Sequence, residues 1–350
     1  MILVYGAYGY TGELIAREAV ERDLDLVVAG RNGTKTRGLG VELGVESRVF
    51  AADDAAGNLD DVDVVCNCAG PFVETYEPVV EACLDAGADY LDITGELAIF
   101  EALAARDREA ESADVALLPG VGFDVVPTDC LAGHLHDRLP GATHLRLGFD
   151  AHTNLSGGTL ASVIEHAGDG GKVRRNGVVE DVPVAADSRA IDFGEGPRNA
   201  ITVPWGDVST AYYSTGIENV EVYMAAPEAM ALAMRTTNYT APLLSLSPVK
   251  SCLQNVVRSL VDGPSAEARE TQRVLVWGEA TDGEETVTSR LVTPETYALT
   301  VDAATTAAAR ADAGEVSAGY QTPTTAFGPD LVLDLDGVEG FFDEELPELD

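Results

Sequence analysis

The feature that most constrains the fold is a regular alternation of short apolar segments and amphipathic segments along the first third of the chain. Strand-like apolar segments occur at residues 1–5, 26–30, 47–51, 62–67, 90–93 and 115–118. Apolar residues recur at helical spacing in residues 12–21, 78–86, 97–109 and 126–138. Because strands that are joined through helices pair in parallel, this pattern predicts a doubly wound α/β sheet.

The pattern changes beyond residue 144. Asn176-Gly177 separates two strand-like segments, and this dipeptide is preferred at the type I′ turn of a hairpin. Further strand-like segments occur at 200–204, 219–225, 273–277 and 285–291, and helical patterns occur at 158–166, 227–235, 253–262 and 294–313. The sequence therefore predicts a second, α+β domain that is built on a mostly antiparallel sheet.

The charge balance excludes one class of partner. The chain of 350 residues has 22 Lys and Arg residues against 59 Asp and Glu residues, a formal net charge of −37. Nucleic acid is not expected as a partner, because phosphate neutralisation needs a basic surface. The acidic residues are scattered, which is typical of cytoplasmic proteins from salt-accumulating halophiles. In such a chain a cluster of basic residues is unusually informative.

The sequence also bears on the cellular compartment. A strand-like segment begins at residue 2, which leaves no room for a secretory signal peptide. The most apolar stretch, residues 239–253, contains prolines and Lys250 and is too short to span a bilayer. The five cysteines form no CxxC pair, so neither a disulfide framework nor a zinc site is favoured. We therefore expect a cytoplasmic protein without a transmembrane segment or a metal site.

A glycine-rich loop directly follows the first predicted strand and opens the first predicted helix. Its spacing, GxxGxxG, is a variant of the fingerprint of dinucleotide-binding domains. Gly6 permits the tight turn, Gly9 lets the backbone approach a pyrophosphate, and Gly12 allows close packing of helix and strand. The residues predicted to bind the dinucleotide here are Gly6, Tyr8, Gly9, Tyr10, Thr11 and Gly12.

The end of the second strand distinguishes the two nicotinamide dinucleotides. NAD sites place an acidic residue there for the ribose 2′-hydroxyl, whereas NADP sites use arginine for the 2′-phosphate. This chain has Arg31, Asn32, Lys35 and Arg37, and no acidic residue occurs between positions 26 and 41. The pattern predicts NADP(H), with Arg31 as the main phosphate ligand. The alternative is a solvated basic loop.

Small and polar residues follow the fourth, fifth and sixth strands, where a ligand lies in an open α/β sheet. The cofactor-binding candidates in these loops are Cys68, Ala69, Gly70, Pro71, Phe72, Gly95 and Gly122. The candidates for proton transfer are Asp92, Thr94 and Asp124, with Glu96 beside them. An aspartate at a strand end is also a common helix cap, and this alternative stays open.

Two further groups of residues lie outside these loops. His134 and His136 are two positions apart on a predicted helix and lack the spacing of metal ligands. Lys172, Arg174 and Arg175 form a second basic cluster on the predicted hairpin. This cluster fits either an anionic substrate or a salt-bridged hairpin face.

Six motifs, taken together and in order, resemble one known family. They are GAYGYTG at 6–12, AGRN at 29–32, NCAGPF at 67–72, DYLDITGE at 89–96, LLPGVGFDVVPTD at 117–129 and QTPTTAFGPDLV at 321–332. The chain resembles the saccharopine dehydrogenase-like oxidoreductases, including their trans-acting enoyl reductase branch. The resemblance implies a Rossmann NADP-binding domain at 1–128, a substrate and dimerisation domain at 129–292, a return to the first domain at 293–335 and an acidic tail at 336–350.

The resemblance implies hydride transfer but leaves the acceptor open. Enoyl reduction of an acyl substrate suits the leucine-rich stretch at 239–260, which also fits a plain core or a dimer face. Reduction of imine or secondary-amine amino acids, as in saccharopine reductases, needs basic groups for several carboxylates. A third alternative is a protein that binds NADPH without turnover. The expected partners are a small-molecule or acyl-lipid substrate and a second copy of the chain.

Overall fold

The computed structural model describes residues 1–151, 170–244, 272–344 and 346. The chain divides into two compact units: Met1–Gly133 with Thr296–Gly337, and His134–Glu295 with Val338–Asp350. The predicted helices at 158–166 and 253–262 lie outside the described residues, as does most of the leucine-rich stretch at 239–260. Both units are interrupted in sequence, so the chain leaves the first unit and later returns to it.

The described strands and helices have the following bounds. The strands are β1 (Ile2–Tyr5), β2 (Leu26–Ala29), β3 (Glu46–Arg48), β4 (Val64–Asn67), β5 (Asp89–Asp92), β6 (Ala116–Leu118), β7 (His144–Ala151), β8 (Gly171–Arg175), β9 (Val178–Val182), β10 (Ser188–Asp192), β11 (Pro197–Thr202), β12 (Asn219–Ala225), β13 (Arg273–Thr281), β14 (Thr286–Pro294), β15 (Gly319–Tyr320) and β16 (Glu339–Phe342). The helices are α1 (Tyr10–Glu21), α2 (Gly33–Leu43), α3 (Phe72–Ala86), α4 (Leu97–Ala104), α5 (Asp107–Ala113), α6 (Val126–Arg138), α7 (Asp207–Thr215), α8 (Glu228–Leu244), α9 (Thr296–Asp312) and α10 (Pro323–Phe327).

The described part of the first unit contains a seven-stranded parallel sheet. Its strand order is β15-β6-β5-β4-β1-β2-β3. Strands β1 to β6 have the spatial order of a doubly wound Rossmann sheet. The direction in which successive strands are added to the sheet reverses between β1 and β4. The predicted α/β class is therefore confirmed, and the loops after β1 and β4 lie at the switch point where such sheets bind ligands.

Apolar side chains cover both faces of this sheet. Leu3, Val27 and Tyr90 belong to the cluster on one face. Ile2 and Val28, their neighbours along the strands, belong to the cluster on the other face, where α1 and α9 contribute alanines and an isoleucine. Helix α9 comes from the returning segment, so residues far apart in sequence build the core behind the glycine loop.

The described strands of the second unit form one mixed sheet. Its main order is β10-β11-β12-β7-β13-β14-β16, and the hairpin of β8 and β9 pairs with β12. Among the described pairs only β7 and β12 run parallel. Asn176 and Gly177 have φ of 48° and 78°, as a type I′ turn requires. The predicted mostly antiparallel sheet is confirmed.

The segment expected to be an acidic tail, 336–350, contributes a strand instead of lying wholly outside the domains. Strand β16 pairs antiparallel with β14. The ring of Phe341 stacks on His134 at 4.2 Å between centroids, and Phe342 packs against the apolar cluster of the sheet. Asp343 forms a hydrogen bond with the His134 ring at 2.9 Å and an ion pair with Arg138. Two aromatic rings thus hold an otherwise acidic segment on the second unit.

Among the helices that the structure describes, none combines the length and the apolar character that crossing a bilayer requires.

Candidate functional site

The glycine loop packs against the loop that follows β4. Gly6 has φ of +80°, and a Cβ atom placed on it would lie 2.8 Å from the backbone N and Cα atoms of Ala69. A Cβ atom on Gly12 would lie 2.6 Å from the Gly6 carbonyl oxygen. Only glycine fits these two positions. At Gly6 both the φ of +80° and the contact with Ala69 exclude a side chain, and at Gly12 the contact with the Gly6 carbonyl excludes one.

The start of α1 forms a cradle for an anion. The N-cap residue is Gly9, which has no side chain to accept the first-turn N–H groups. The N–H groups of Thr11 and Gly12 are therefore left for a ligand, and the positive end of the helix dipole adds to their effect. Tyr10 is 44 % exposed and its ring meets Tyr297 edge-on at 5.0 Å.

Residues at the end of β2 form the corner where the adenine ribose lies in Rossmann domains. The ring of Tyr8 packs over Gly30, where an added Cβ atom would lie 2.6 Å from its Cε1. The Lys35 ammonium lies 5.7 Å from the centroid of that ring. The Asn32 side chain accepts a hydrogen bond from the Lys35 backbone N–H at 3.1 Å and so caps α2. Asn32 thereby fixes the helix end that carries Lys35.

Three basic side chains at this corner differ from most others in the chain. Most described arginines, such as Arg17 and Arg48, form ion pairs with carboxylates. Arg31, Lys35 and Arg37 are exposed, and none has an ion pair with a described residue. This corner therefore carries three basic side chains that form no ion pair with a described residue, in a strongly acidic protein.

A buried hydrogen-bond network connects the ends of β4, β5 and β6. The Asn67 side chain accepts from the Ala69 backbone N–H at 3.0 Å and donates to the Tyr90 hydroxyl at 3.2 Å. Tyr90 donates to Asp92 Oδ2 at 2.8 Å. Asp92 Oδ1 accepts backbone N–H groups from Thr94 and Gly120, both at 3.0 Å.

Asp92 and Thr94 are fully buried in this network. Burial raises the pKa of Asp92 to about 6, against the opposing effect of its hydrogen bonds from Thr94, Gly120 and Tyr90. The Thr94 hydroxyl oxygen accepts from the Glu96 backbone N–H at 3.0 Å. Both side chains are thus engaged within the protein, an arrangement that favours the positioning of loops. A catalytic role for either stays a prediction.

The remaining predicted residues line the same edge of the sheet. A Cβ atom on Gly95 would lie 2.7 Å from Asp124 Oδ2, and one on Gly122 would lie 3.0 Å from the Thr300 side chain. Asp124 is half-buried. The Thr300 hydroxyl oxygen accepts from the Phe123 N–H at 3.0 Å, so α9 also fixes the loop after β6. Close packing of small residues keeps this loop compact.

The loop Cys68–Phe72 contains the last group of candidates. Cys68 donates its backbone N–H to the Tyr5 carbonyl at 2.8 Å. A hydrogen bond with the Cys66 thiol, together with burial, raises the pKa of Cys68, so this thiol stays protonated. Gly70 and Pro71 are exposed, and Pro71 is the N-cap of α3. The Phe72 N–H donates to Glu96 Oε1 at 3.3 Å, which connects the loops after β4 and β5.

All of the predicted cofactor-binding residues therefore follow strands of one sheet at its carboxyl edge. The sequence interpretation missed Asn67 and Tyr90 as members of the buried network and Thr300 as a support. One signal for Tyr90 was available, since it lies two residues before Asp92 and side chains two apart on a strand share a face.

The second basic cluster lies in the other unit and is engaged there. Lys172 forms an ion pair with Asp181, and Arg175 forms one with Glu180. Arg174 is buried, donates to the backbone carbonyls of residues 177 and 208, and stacks on a tyrosine ring. Of the two alternatives for this cluster, the structure favours the salt-bridged hairpin face.

Part of the first unit matches a known protein family. Residues 2–118 match the family model described as the saccharopine dehydrogenase NADP-binding domain. Over these residues the chain is similar to that family. The matched residues include every strand from β1 to β6, and the resemblance seen in the sequence motifs is confirmed.

Curated relatives extend the similarity beyond the NADP-binding domain. A trans-acting enoyl reductase of Mycobacterium ulcerans is 30% identical over 183 residues, which cover 49% of this chain and 42% of that protein. A saccharopine dehydrogenase-like oxidoreductase of Homo sapiens is 28% identical over 203 residues, which cover 50% of this chain and 47% of that protein. The matched region spans less than half the length of these relatives.

A solved structure resembles the chain over nearly its whole length. Apo saccharopine dehydrogenase (L-Glu forming) from Saccharomyces cerevisiae aligns with a TM-score of 0.63 at 14% identity and covers 95% of both chains. At this identity the likeness shows that both units of the chain share the fold of that enzyme.

Proposed function

We propose that this protein is an NADP(H)-dependent oxidoreductase that transfers hydride to or from a small organic or acyl substrate. The observation that carries the proposal is the exposed basic corner of Arg31, Lys35 and Arg37 beside the glycine loop, which forms no ion pair with a described residue. A 2′-phosphate placed there meets guanidinium and ammonium groups that have no carboxylate partner among the described residues.

The residues that would hold NADP(H) have separate tasks. Gly6, Gly9 and Gly12 leave room for the diphosphate at the start of α1, and the N–H groups of α1 stabilise its charge. The loop Cys68–Phe72 and the residues Gly95 and Gly122 would border the nicotinamide. The nicotinamide ring supplies the hydride chemistry when the cofactor is bound. Asp124, half-buried beside Gly95, is the most accessible of the three proton-transfer candidates, since Asp92 and Thr94 are fully buried.

The preferred acceptor is an activated carbon–carbon double bond, as in an enoyl thioester or an acyl lipid. The second unit supports this preference through its charges. Arg146 binds Glu221 and Glu279, Arg189 binds Glu279, and Lys172 binds Asp181. These three cations are already engaged by carboxylates of the second unit, which disfavours their use for an imine substrate with several carboxylates. Reduction of imines is the second candidate.

The test has two stages. Purified protein in concentrated salt is first titrated with NADPH and NADH, with cofactor fluorescence as the readout. NADPH absorbance is then followed after addition of an enoyl thioester or of an imine formed from an amino acid and a keto acid. We expect NADPH to bind more tightly and to be consumed with the enoyl thioester. Binding without consumption by either class would favour a protein that binds NADPH without turnover, and no binding would refute the proposal.

Two further expectations belong to this proposal. A cytoplasmic location is supported by the free thiols of Cys66, Cys68, Cys83 and Cys130. A homodimer is expected from the resemblance, and sedimentation in high salt measures it directly. A single species with the mass of one chain would contradict the dimer.

A further inference from the structure

We propose that Asp92 is a positioning residue whose negative charge terminates a buried hydrogen-bond chain, holds the loop after β4 against the glycine loop, and thereby sets the affinity for the dinucleotide. The inference rests on the proposed function, because it assumes that NADPH binds at these loops.

The hydrogen bonds of the chain all run in one direction. The Ala69 N–H donates to Asn67, Asn67 donates to Tyr90, and Tyr90 donates to Asp92. Two backbone N–H groups, those of Thr94 and Gly120, also donate to the carboxylate. Because every donor points toward one anion in a buried environment, the charge of Asp92 polarises and strengthens the whole chain.

The far end of this chain lies at the glycine loop. Ala69 occupies the space that a side chain on Gly6 would need. The Ala69 carbonyl also accepts the Thr75 hydroxyl at 2.6 Å, so Asn67 at the end of β4 holds the N–H of Ala69 and Thr75 of α3 holds its carbonyl. A shift of Ala69 would therefore change the surface on which the turn at Gly6 packs. Asp92, at the other end of the chain of hydrogen bonds, is fully buried.

Protonation of Asp92 would reverse one bond of the chain. A proton on Oδ2 would be donated to the Tyr90 hydroxyl oxygen, which already accepts from Asn67. The Tyr90 hydrogen would then lose its acceptor, and two donors would compete for one phenolic oxygen. With Asp92 ionised, every donor of the chain has an acceptor in the observed direction.

The surroundings of Asp92 place this change within an accessible pH range. Burial raises its pKa to about 6. Among the described residues, the titratable groups whose charge acts on it are Tyr90 on the same strand, Glu96 in the following loop and Cys68 after β4. Cofactor affinity is therefore expected to be full well above this pH and to fall as the pH decreases through it.

Three variants separate this role from a merely structural one. Asp92→Asn keeps an oxygen for the two backbone N–H groups and removes the charge, and Tyr90→Phe breaks the chain without a change of shape. The control is Asp89→Asn at the opposite end of β5. Asp89 also accepts a backbone N–H, from Ala116 at 2.7 Å, and burial also raises its pKa to about 6, but it lies away from the loops.

The measurement is the dissociation constant of NADPH and of NADH from about pH 5 to about pH 8, with the unfolding temperature of each variant recorded alongside. NADH is included because the 2′-phosphate of NADPH itself titrates near pH 6. We expect Asp92→Asn and Tyr90→Phe each to weaken binding of both nucleotides about five- to tenfold at the higher pH. The double variant should lose little more than either single one, since both act on one chain.

The pH profile decides the question. In the wild type and in Asp89→Asn, NADH affinity should fall on acidification, whereas in Asp92→Asn it should stay level. Equal NADH profiles in Asp92→Asn and the wild type, or an equal loss of affinity in Asp89→Asn, would overturn the inference. A wild-type protein that binds neither nucleotide at any pH would instead refute the proposed function.

Discussion

Replacing Gly6 by alanine adds one carbon atom where the loops after β1 and β4 meet. Two costs follow from the structure. A non-glycine residue at φ of +80° costs about 1–2 kcal/mol. The new Cβ atom would also lie 2.8 Å from backbone atoms of Ala69, so that loop would have to move by about half an ångström, at a cost of about 1–3 kcal/mol. We therefore expect Gly6→Ala to lower the free energy of unfolding by about 2–5 kcal/mol.

Gly87→Ala is the matched control. Gly87 ends α3 with φ of +74° and has no atom within 4 Å of its added Cβ, so it carries the conformational cost without the overlap. Urea unfolding in high salt measures the free energy for both variants, and fluorescence titration measures NADPH binding. Gly6→Ala should bind NADPH at least about tenfold more weakly, and Gly87→Ala should bind it like the wild type. Wild-type affinity in Gly6→Ala would refute the assignment of this turn to the dinucleotide.

Two other predictions concern stability near the same sheet. Asn32→Ala removes the cap of α2 and should lower the free energy of unfolding by about 0.5–2 kcal/mol in urea titrations. NADPH binding should also weaken, because that helix end holds Lys35. Unchanged stability would contradict the role of Asn32 as a cap. Because burial raises the pKa of Asp89 to about 6, its contribution to stability is full below the unfolded value near 3.8 and is lost as the pH rises through 6. Asp89→Asn should therefore gain roughly 1–2 kcal/mol relative to the wild type above pH 6 and little near pH 4, and a pH-independent difference would contradict this reasoning.

The sequence predicted the parts of the fold that depend on local periodicity. Apolar strands alternating with helices indicated the parallel sheet, and α6 was predicted with its observed bounds, Val126–Arg138. Asn176-Gly177 identified the hairpin of β8 and β9, because that turn needs φ above zero at both residues. The glycine spacing after β1 located the candidate site for the same reason.

Other features depended on contacts that local patterns do not encode. Helix α2 was missed because its glycines and threonines are weak helix formers, and its Asn32 cap is what fixes its start. Helix α3 begins at Phe72, six residues before the predicted start, with Pro78 inside it. Strand β16 was hidden in an acidic segment, since its pairing depends on Phe341 and Phe342 reaching the second unit.

The candidate site also contains residues that local sequence patterns reveal and residues that they do not. The residues with a distinctive spacing or charge, such as Gly6 and Arg31, could be named as candidates from the sequence. The burial of Asp92 was not, because a carboxylate at the end of a strand gives no local sign that Asn67 of β4 and the Gly120 N–H after β6 complete a network with Tyr90 around it.

The central claim is that the positive corner after β2 selects NADPH, and the ratio of the NADH and NADPH dissociation constants tests it most directly. A charge-assisted bond to phosphate contributes about 1.5–3 kcal/mol, so Arg31→Asp should lower this ratio at least about tenfold while NADH affinity changes little. Arg108→Asp on α5, likewise an exposed arginine without an ion pair to a described residue, is the control and should leave the ratio unchanged. A wild-type preference for NADH, or the same ratio in Arg31→Asp as in the wild type, would contradict the account.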